Sequence, residues 1–281
     1  MVAKVVPLAS ILLVGLTHAR SADTELPEFF RPHAFQIAPE VYYFRYEEPD
    51  VMEEEGIFYG LTASVTHRRE RGRNAHAVSW STFGVEGRVG WGQVDYDGAL
   101  MDGTPYEDNG IDDFVAGIGL LWGLEWDPTP FISGFHIGIA YRYLNDDSSS
   151  DPAGYDRKAN YLYLPIRLEA IAGSRHFVQV AFLTEVDVLL FGLQVSRLGD
   201  VGLADDPDVK IHIGDVYNPQ LPFSGVGAQG SIEFRFRSRP IDLAIGPFVR
   251  FWYVGESVRS KGFVEPENYT LEAGLRQILR F

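Results

Sequence analysis

Asp95 and Asp97, two apart in "DYDG", are the first residues whose types and spacing could do chemistry. Aspartates in this pattern can open a calcium loop. The later ligand positions and the closing glutamate are missing after Gly98, so the match ends with its first turn. His76 and Ser79 could pair as base and nucleophile, but in an alternating segment their opposite parity sends them to opposite faces. Asp208 stands four residues before His212, a second acid and histidine close in sequence. "NYT" at 268–270 has the form of a glycosylation acceptor but lies in an alternating segment, where an acceptor loop is not expected. The chain has no cysteine, which excludes thiolate nucleophiles and thiolate metal sites. We therefore expect no enzyme, with no catalytic, cofactor-binding or metal-binding residue.

The elements that would carry these residues are strands. Ten alternating segments lie near 34–46, 57–68, 76–95, 112–125, 131–144, 160–172, 176–197, 223–237, 240–255 and 267–281. Several exceed the usual five or six residues and suit tilted membrane strands of about 9–11. The odd-numbered connections are longer and polar, such as "EEPDVMEEEG" and "NDDSSSDPAGYDRKA". The even ones are short: "RERGRNA", "DPTP", "GSR" and "RSRP". Membrane barrels sort their connections in this way, with short turns at one rim and long loops at the other.

Each segment has one apolar face. In 112–125, Phe114, Ala116, Ile118, Leu120, Trp122 and Leu124 oppose Gly117, Gly119, Gly123 and Glu125. The second face, taken over all segments, carries Glu40, Glu86, Arg88, Glu125, Arg142, Arg167, Glu169, Glu185, Glu233, Arg235, Arg250, Glu272 and Arg276. Interleaved acids and bases on the inner face of a ten-strand barrel should pair, since an unpaired buried charge is costly. The alternative is a narrow polar channel whose charged lining selects solutes. Aromatic residues near strand ends, including Tyr42, Tyr43, Tyr46, Trp91, Tyr141, Tyr143, Trp252 and Tyr253, fit interfacial girdles. The long connections are acidic, with Glu53–Glu55, Asp112, Asp113, Asp146, Asp147 and Asp151 among their carboxylates. Divalent cations beside lipopolysaccharide are the partner such carboxylates would take.

The first 22 residues read as a secretory signal peptide, with Lys4, an apolar run from Val5 to Leu16 and small residues at Thr17, Ala19 and Ser21. Residues 23–281 then form the barrel domain. The net charge of −15 argues against nucleic acid as a partner. After the signal, no apolar stretch approaches the 18 residues of a membrane helix, and a β-barrel would not need one.

The last strand, "ENYTLEAGLRQILRF", alternates to Phe281. It resembles the C-terminal signal by which outer-membrane barrels are handed to the barrel-assembly machinery. "PEVYYFRYEEPDVMEEEG", "GQVDYDG…GTP…GIDDF" and "YRYLNDDSS" resemble a family of uncharacterised outer-membrane β-barrel proteins. That resemblance implies fold and location and transfers no active site. Asp95 and Asp97 are also similar to the first acid pair of the omptin proteases, whose second motif is Asp-x-His. Asp208 and His212 depart from that spacing. The expectation is an all-β transmembrane antiparallel up-and-down barrel of about ten strands, with eight or twelve as alternatives, in the outer membrane. Its role would be structural or that of a narrow porin-like channel; the alternatives are an omptin-like protease or an adhesion or receptor barrel.

Overall fold

A computed structural model describes residues 33–73, 78–99, 103–127, 133–148, 155–173, 178–198, 214–236 and 241–281. The signal-peptide segment, His76, Asp151, Asp208 and His212 lie outside the described residues. Eleven strands follow in chain order: β1 (His33–Glu48), β2 (Met52–Arg73), β3 (Val78–Ala99), β4 (Pro105–Asp127), β5 (Gly134–Asp147), β6 (Asp156–Gly173), β7 (Val178–Ser196), β8 (Val216–Gln220), β9 (Gly225–Phe236), β10 (Asp242–Val254) and β11 (Asn268–Arg280).

Strands β1 to β7 each pair antiparallel with the next, as do β9, β10 and β11. β7 pairs with β9 over 178–188 and with β8 over 192–196. β8 and β9 are therefore one barrel strand interrupted at residues 221–224. β1 pairs with β11 and joins the ends of the sheet. The fold is a closed antiparallel barrel of ten strands. Closure pairs the first strand with the last and removes the open edges that a flat sheet would have.

The seam between β1 and β11 uses the last residue. The Phe281 backbone N–H donates to the Phe35 carbonyl at 3.0 Å, and the two rings lie 5.7 Å apart on the outer face. The interruption at 221–224 has a local cause. Pro219 and Pro222 lack backbone donors. Phe223 takes a left-handed φ of 65°, and its N–H donates across to the Leu189 carbonyl at 2.8 Å. The segment after β10 covers the far edge of β8, with the Val258 N–H donating to the Pro219 carbonyl at 2.8 Å.

The faces follow the sequence alternation. Ile57, Tyr59, Leu61 and Val65 of β2 point outward and are exposed, as do Phe83, Val85 and Trp91 of β3 and Ile118 and Trp122 of β4. This is a continuous apolar belt, far larger than the patches soluble monomers expose.

Two expectations need correction. The connection "EEPDVMEEEG" is mostly strand: β1 runs to Glu48 and β2 starts at Met52, so only residues 49–51 form the turn. "DGALMDGTPYEDNGI" is likewise largely the ends of β3 and β4. An acidic run reads as loop by composition, but here the ladder continues to the turn, with Arg45 paired across it to Glu53 and along its own strand to Glu47. The second correction concerns the girdle. Tyr42, Tyr46 and Trp252 are buried inside the barrel, not at its outer interface. They share the parity of Glu40 and Arg250, which also point inward.

Candidate functional site in the barrel lumen

The alternation that turns apolar side chains outward brings all thirteen expected charged residues to the inner wall. They fall into linked groups. Glu272 is 1 % exposed and accepts from Arg88 and, at 3.1 Å, from Arg250. Arg250 also donates twice to Glu40, at 2.8 and 3.0 Å, and Thr62 adds a bond to Glu40 at 3.1 Å. Arg167 forks between Glu185 and Glu86. Glu233 gathers Arg235 and Arg280 at 2.8 Å and Arg276 at 3.1 Å, while Arg235 also reaches Glu169. Glu125 accepts from Arg68 at 2.6 Å and faces His136 at 3.5 Å. Bidentate and shared guanidinium contacts are the geometry in which buried charge is tolerated. Arg280 belongs to this wall, as its shared parity with Glu272 and Arg276 implies; Arg68 and Asp187 belong to it too and were not foreseen, although the parity of their segments contained them.

Towards the loop rim the lumen becomes apolar. Tyr42, Phe44, Phe58, Val94, Val115, Leu144, Leu189, Phe248 and Trp252 form one buried cluster. Phe44 and Phe58 stack with centroids 4.4 Å apart. Above it sits Arg157, which donates to Asp146 at 2.7 Å, Glu48 at 2.8 Å and Glu54 at 3.1 Å. At this level Glu53 and Glu55 face outward, so the rim cluster lies beyond the apolar belt. Burial, then the neighbouring Asp146, pushes the Glu54 carboxyl well above the ordinary carboxyl range. Burial, then Glu54, does the same to Asp113.

Towards the turn rim the lumen is open. Cavities of about 90, 130 and 70 Å³ succeed one another. The first two share Thr62, Glu86, Arg167 and Arg276 in their walls. The second and third share Gln36, Arg68, Glu125 and Arg280. Together they form a polar vestibule that ends beneath the aromatic cluster.

Of the residues first considered for chemistry, the described ones do not converge. Asp95 and Asp97 are exposed on the outward face of β3, and the Asp95 carboxylate accepts from the Gly110 N–H at 3.2 Å. "DYDG" is strand, not a calcium loop. Ser79 donates to the Gly72 carbonyl. Asn268 begins β11 and is buried. Among the described residues no three His, Asp or Glu side chains are arranged to hold a metal ion.

No protein-family model matches the sequence, and no curated protein matches it. Solved structures are similar at low scores. Neisserial surface protein A is 10% identical, with a TM-score of 0.32, over 86% of this chain and 97% of that one. A deletion mutant of the monoaromatic hydrocarbon channel TodX is 8% identical, with a TM-score of 0.32, over 89% and 90%. A FadL homologue of Pseudomonas aeruginosa is 10% identical, with a TM-score of 0.29, over 90% and 91%. Scores this low carry no functional conclusion.

Proposed function

We propose that this chain is an outer-membrane β-barrel of a diderm bacterium that serves as a sealed structural barrel. The apolar belt around a closed sheet supports the membrane setting. The rim with long acidic connections then faces outward and the rim with short basic turns faces the periplasm. One observation carries the sealed reading: the loop half of the lumen is filled by a buried aromatic and aliphatic cluster. Lipid and lipopolysaccharide surround the barrel on this reading, with divalent cations at the acidic rim. β11 and Phe281 are the contact for the barrel-assembly machinery. Asp95 and Asp97 face away from the lumen, which supports a non-enzymatic role.

A narrow channel is the second reading, favoured by the vestibule on the turn side. Single-channel recording of the reconstituted protein separates the two. The sealed barrel gives no events, and Phe58→Ala with Trp252→Ala introduces them. Steady currents through the wild type would establish the channel instead.

A further inference from the structure

His33 and His67 are directly opposite one another in the β1–β2 ladder. They share the outward parity of Phe35 and Val65, so their side chains stand next to each other on the outer face of the barrel. Both are exposed. Their Nδ1 atoms lie 3.3 Å apart, while the ring centroids are 4.7 Å apart and the ring planes tilt by 35°. The nitrogens are nearer than the centroids, so the two Nδ1 edges lean towards each other.

Two arrangements bring imidazole nitrogens this close. One ring can donate to the other, or both can turn their lone pairs to one metal ion. Zinc–nitrogen bonds of about 2.0–2.1 Å that meet at the tetrahedral angle put the two nitrogens about 3.3–3.4 Å apart. The observed spacing seats such an ion with little movement of either ring. The pair stands at the margin of the apolar belt, with Phe35, Val65 and Phe83 beside it and Arg69 and Ser81 following towards the turn rim. Among the described residues no third His, Asp or Glu completes the set, so water would fill the other positions. The pair also lies next to the barrel seam, where the Phe281 N–H donates to the Phe35 carbonyl. An ion here would tie the turn-rim end of β1 to β2.

We propose that His33 and His67 form a binding site for zinc or another divalent transition metal, held by both Nδ1 atoms and completed by water. On the orientation proposed above the site faces the periplasmic edge of the membrane, but binding itself does not depend on that orientation. Its chemistry differs from that of the acidic rim, because imidazoles suit transition metals whereas carboxylates take magnesium and calcium. Two of the four ligands of a closed zinc site supply about half of its binding free energy, which corresponds to a dissociation constant on the order of 10 µM.

The test is equilibrium dialysis of the folded full chain in detergent against zinc chloride, with excess magnesium present to fill the carboxylates. One zinc per chain is expected at that affinity, with copper bound more tightly than zinc. His33→Ala and His67→Ala should each weaken binding at least tenfold. Both positions are exposed, so the variants should unfold at the wild-type urea midpoint without metal. Zinc should raise that midpoint in the wild type and not in the variants, because the ion binds the folded barrel. His76→Gln and His176→Gln should bind zinc as the wild type does. Absence of saturable zinc binding up to about 100 µM overturns the proposal. So does wild-type affinity in either alanine variant, or a loss in His76→Gln or His176→Gln as large as theirs.

Discussion

Glu272→Gln tests whether the lumen charges are a packed network or hydrated individuals. The substitution preserves shape and removes one negative charge from a residue that is 1 % exposed. Its Oε2 holds Arg88 and Arg250, and Arg142 stands 4.0 Å from Oε1. Of these three guanidinia, Arg250 would keep its ion pair with Glu40, while Arg88 would lose its own. Breaking a buried pair by removing one partner costs about 3–5 kcal/mol. With a urea slope of roughly 2 kcal/mol per molar, the unfolding midpoint should fall by about 2 M. The assay is reversible urea unfolding in lipid or detergent, followed by tryptophan fluorescence and by heat modifiability on a gel. Arg88→Met in the Glu272→Gln background should restore part of the loss, with a coupling of about 1 kcal/mol or more. Glu70→Gln breaks the exposed Arg73–Glu70 pair at the turn rim and should leave the midpoint unchanged. A Glu272→Gln barrel within about 0.5 kcal/mol of wild type refutes the reasoning, because it means that water rather than arginine satisfies the carboxylate.

Three further outcomes are expected. Glu54 and Asp113 hold protons in the folded barrel that the unfolded chain releases, since their folded values are raised. Their contribution is full below the ordinary carboxyl value and declines as pH rises towards the folded value. Amide exchange at the loop-rim ends of β2 and β4, corrected for intrinsic rate, should therefore be faster at about pH 8 than at about pH 5, and Glu54→Gln should flatten the difference. Gly246→Ala should cost about 3 kcal/mol or more, because its Cβ would fall 1.7 Å from the Ile232 carbonyl oxygen; Gly87→Ala meets nothing within 4 Å and should fold normally in the same unfolding assay. Phe281→Ala removes the ring beside Phe35, a contact worth about 1 kcal/mol, so accumulation in the outer membrane, measured by fractionation, should fall more than the unfolding midpoint does.

Much of the wall was legible, and its failures were specific. Period-2 alternation assigned Glu40 and Arg250 to the lumen. The same parity already put Tyr42, Tyr46 and Trp252 there, but an aromatic near a strand end has two explanations, and the girdle was the wrong one for these. Tyr43 and Tyr253, on the other parity, do face outward. The strand in "EEPDVMEEEG" was hidden because Glu48 and Glu54 are balanced by Arg157, more than a hundred residues away. No local pattern reports such a partner. The setting of Arg142 was equally invisible. The sequence shows an arginine of inward parity, and only the assembled wall shows it 4.0 Å from a Glu272 whose Oε2 already holds Arg88 and Arg250.

The lumen charges also explain why this barrel has one register. Buried ion pairs add little stability over well-packed apolar side chains. They do penalise error. A one-residue slip between neighbouring strands exchanges the two faces. In the present register, the outward residues of the belt at 57–65, 83–91 and 114–122 carry no charge. A slipped β3 would present Arg88 to lipid, and a slipped β5 or β10 would present Arg142 or Arg250. Each arginine near the bilayer midplane costs roughly 2–4 kcal/mol. A wrong register would also leave the abandoned partners, Glu272 and Glu40, buried alone. The ion pairs therefore act less as a source of stability than as a cost on every alternative pairing, and part of that cost falls on β1, β11 and β10, which carry Glu40, Glu272 and Arg250 at the seam where closure has to find a single match.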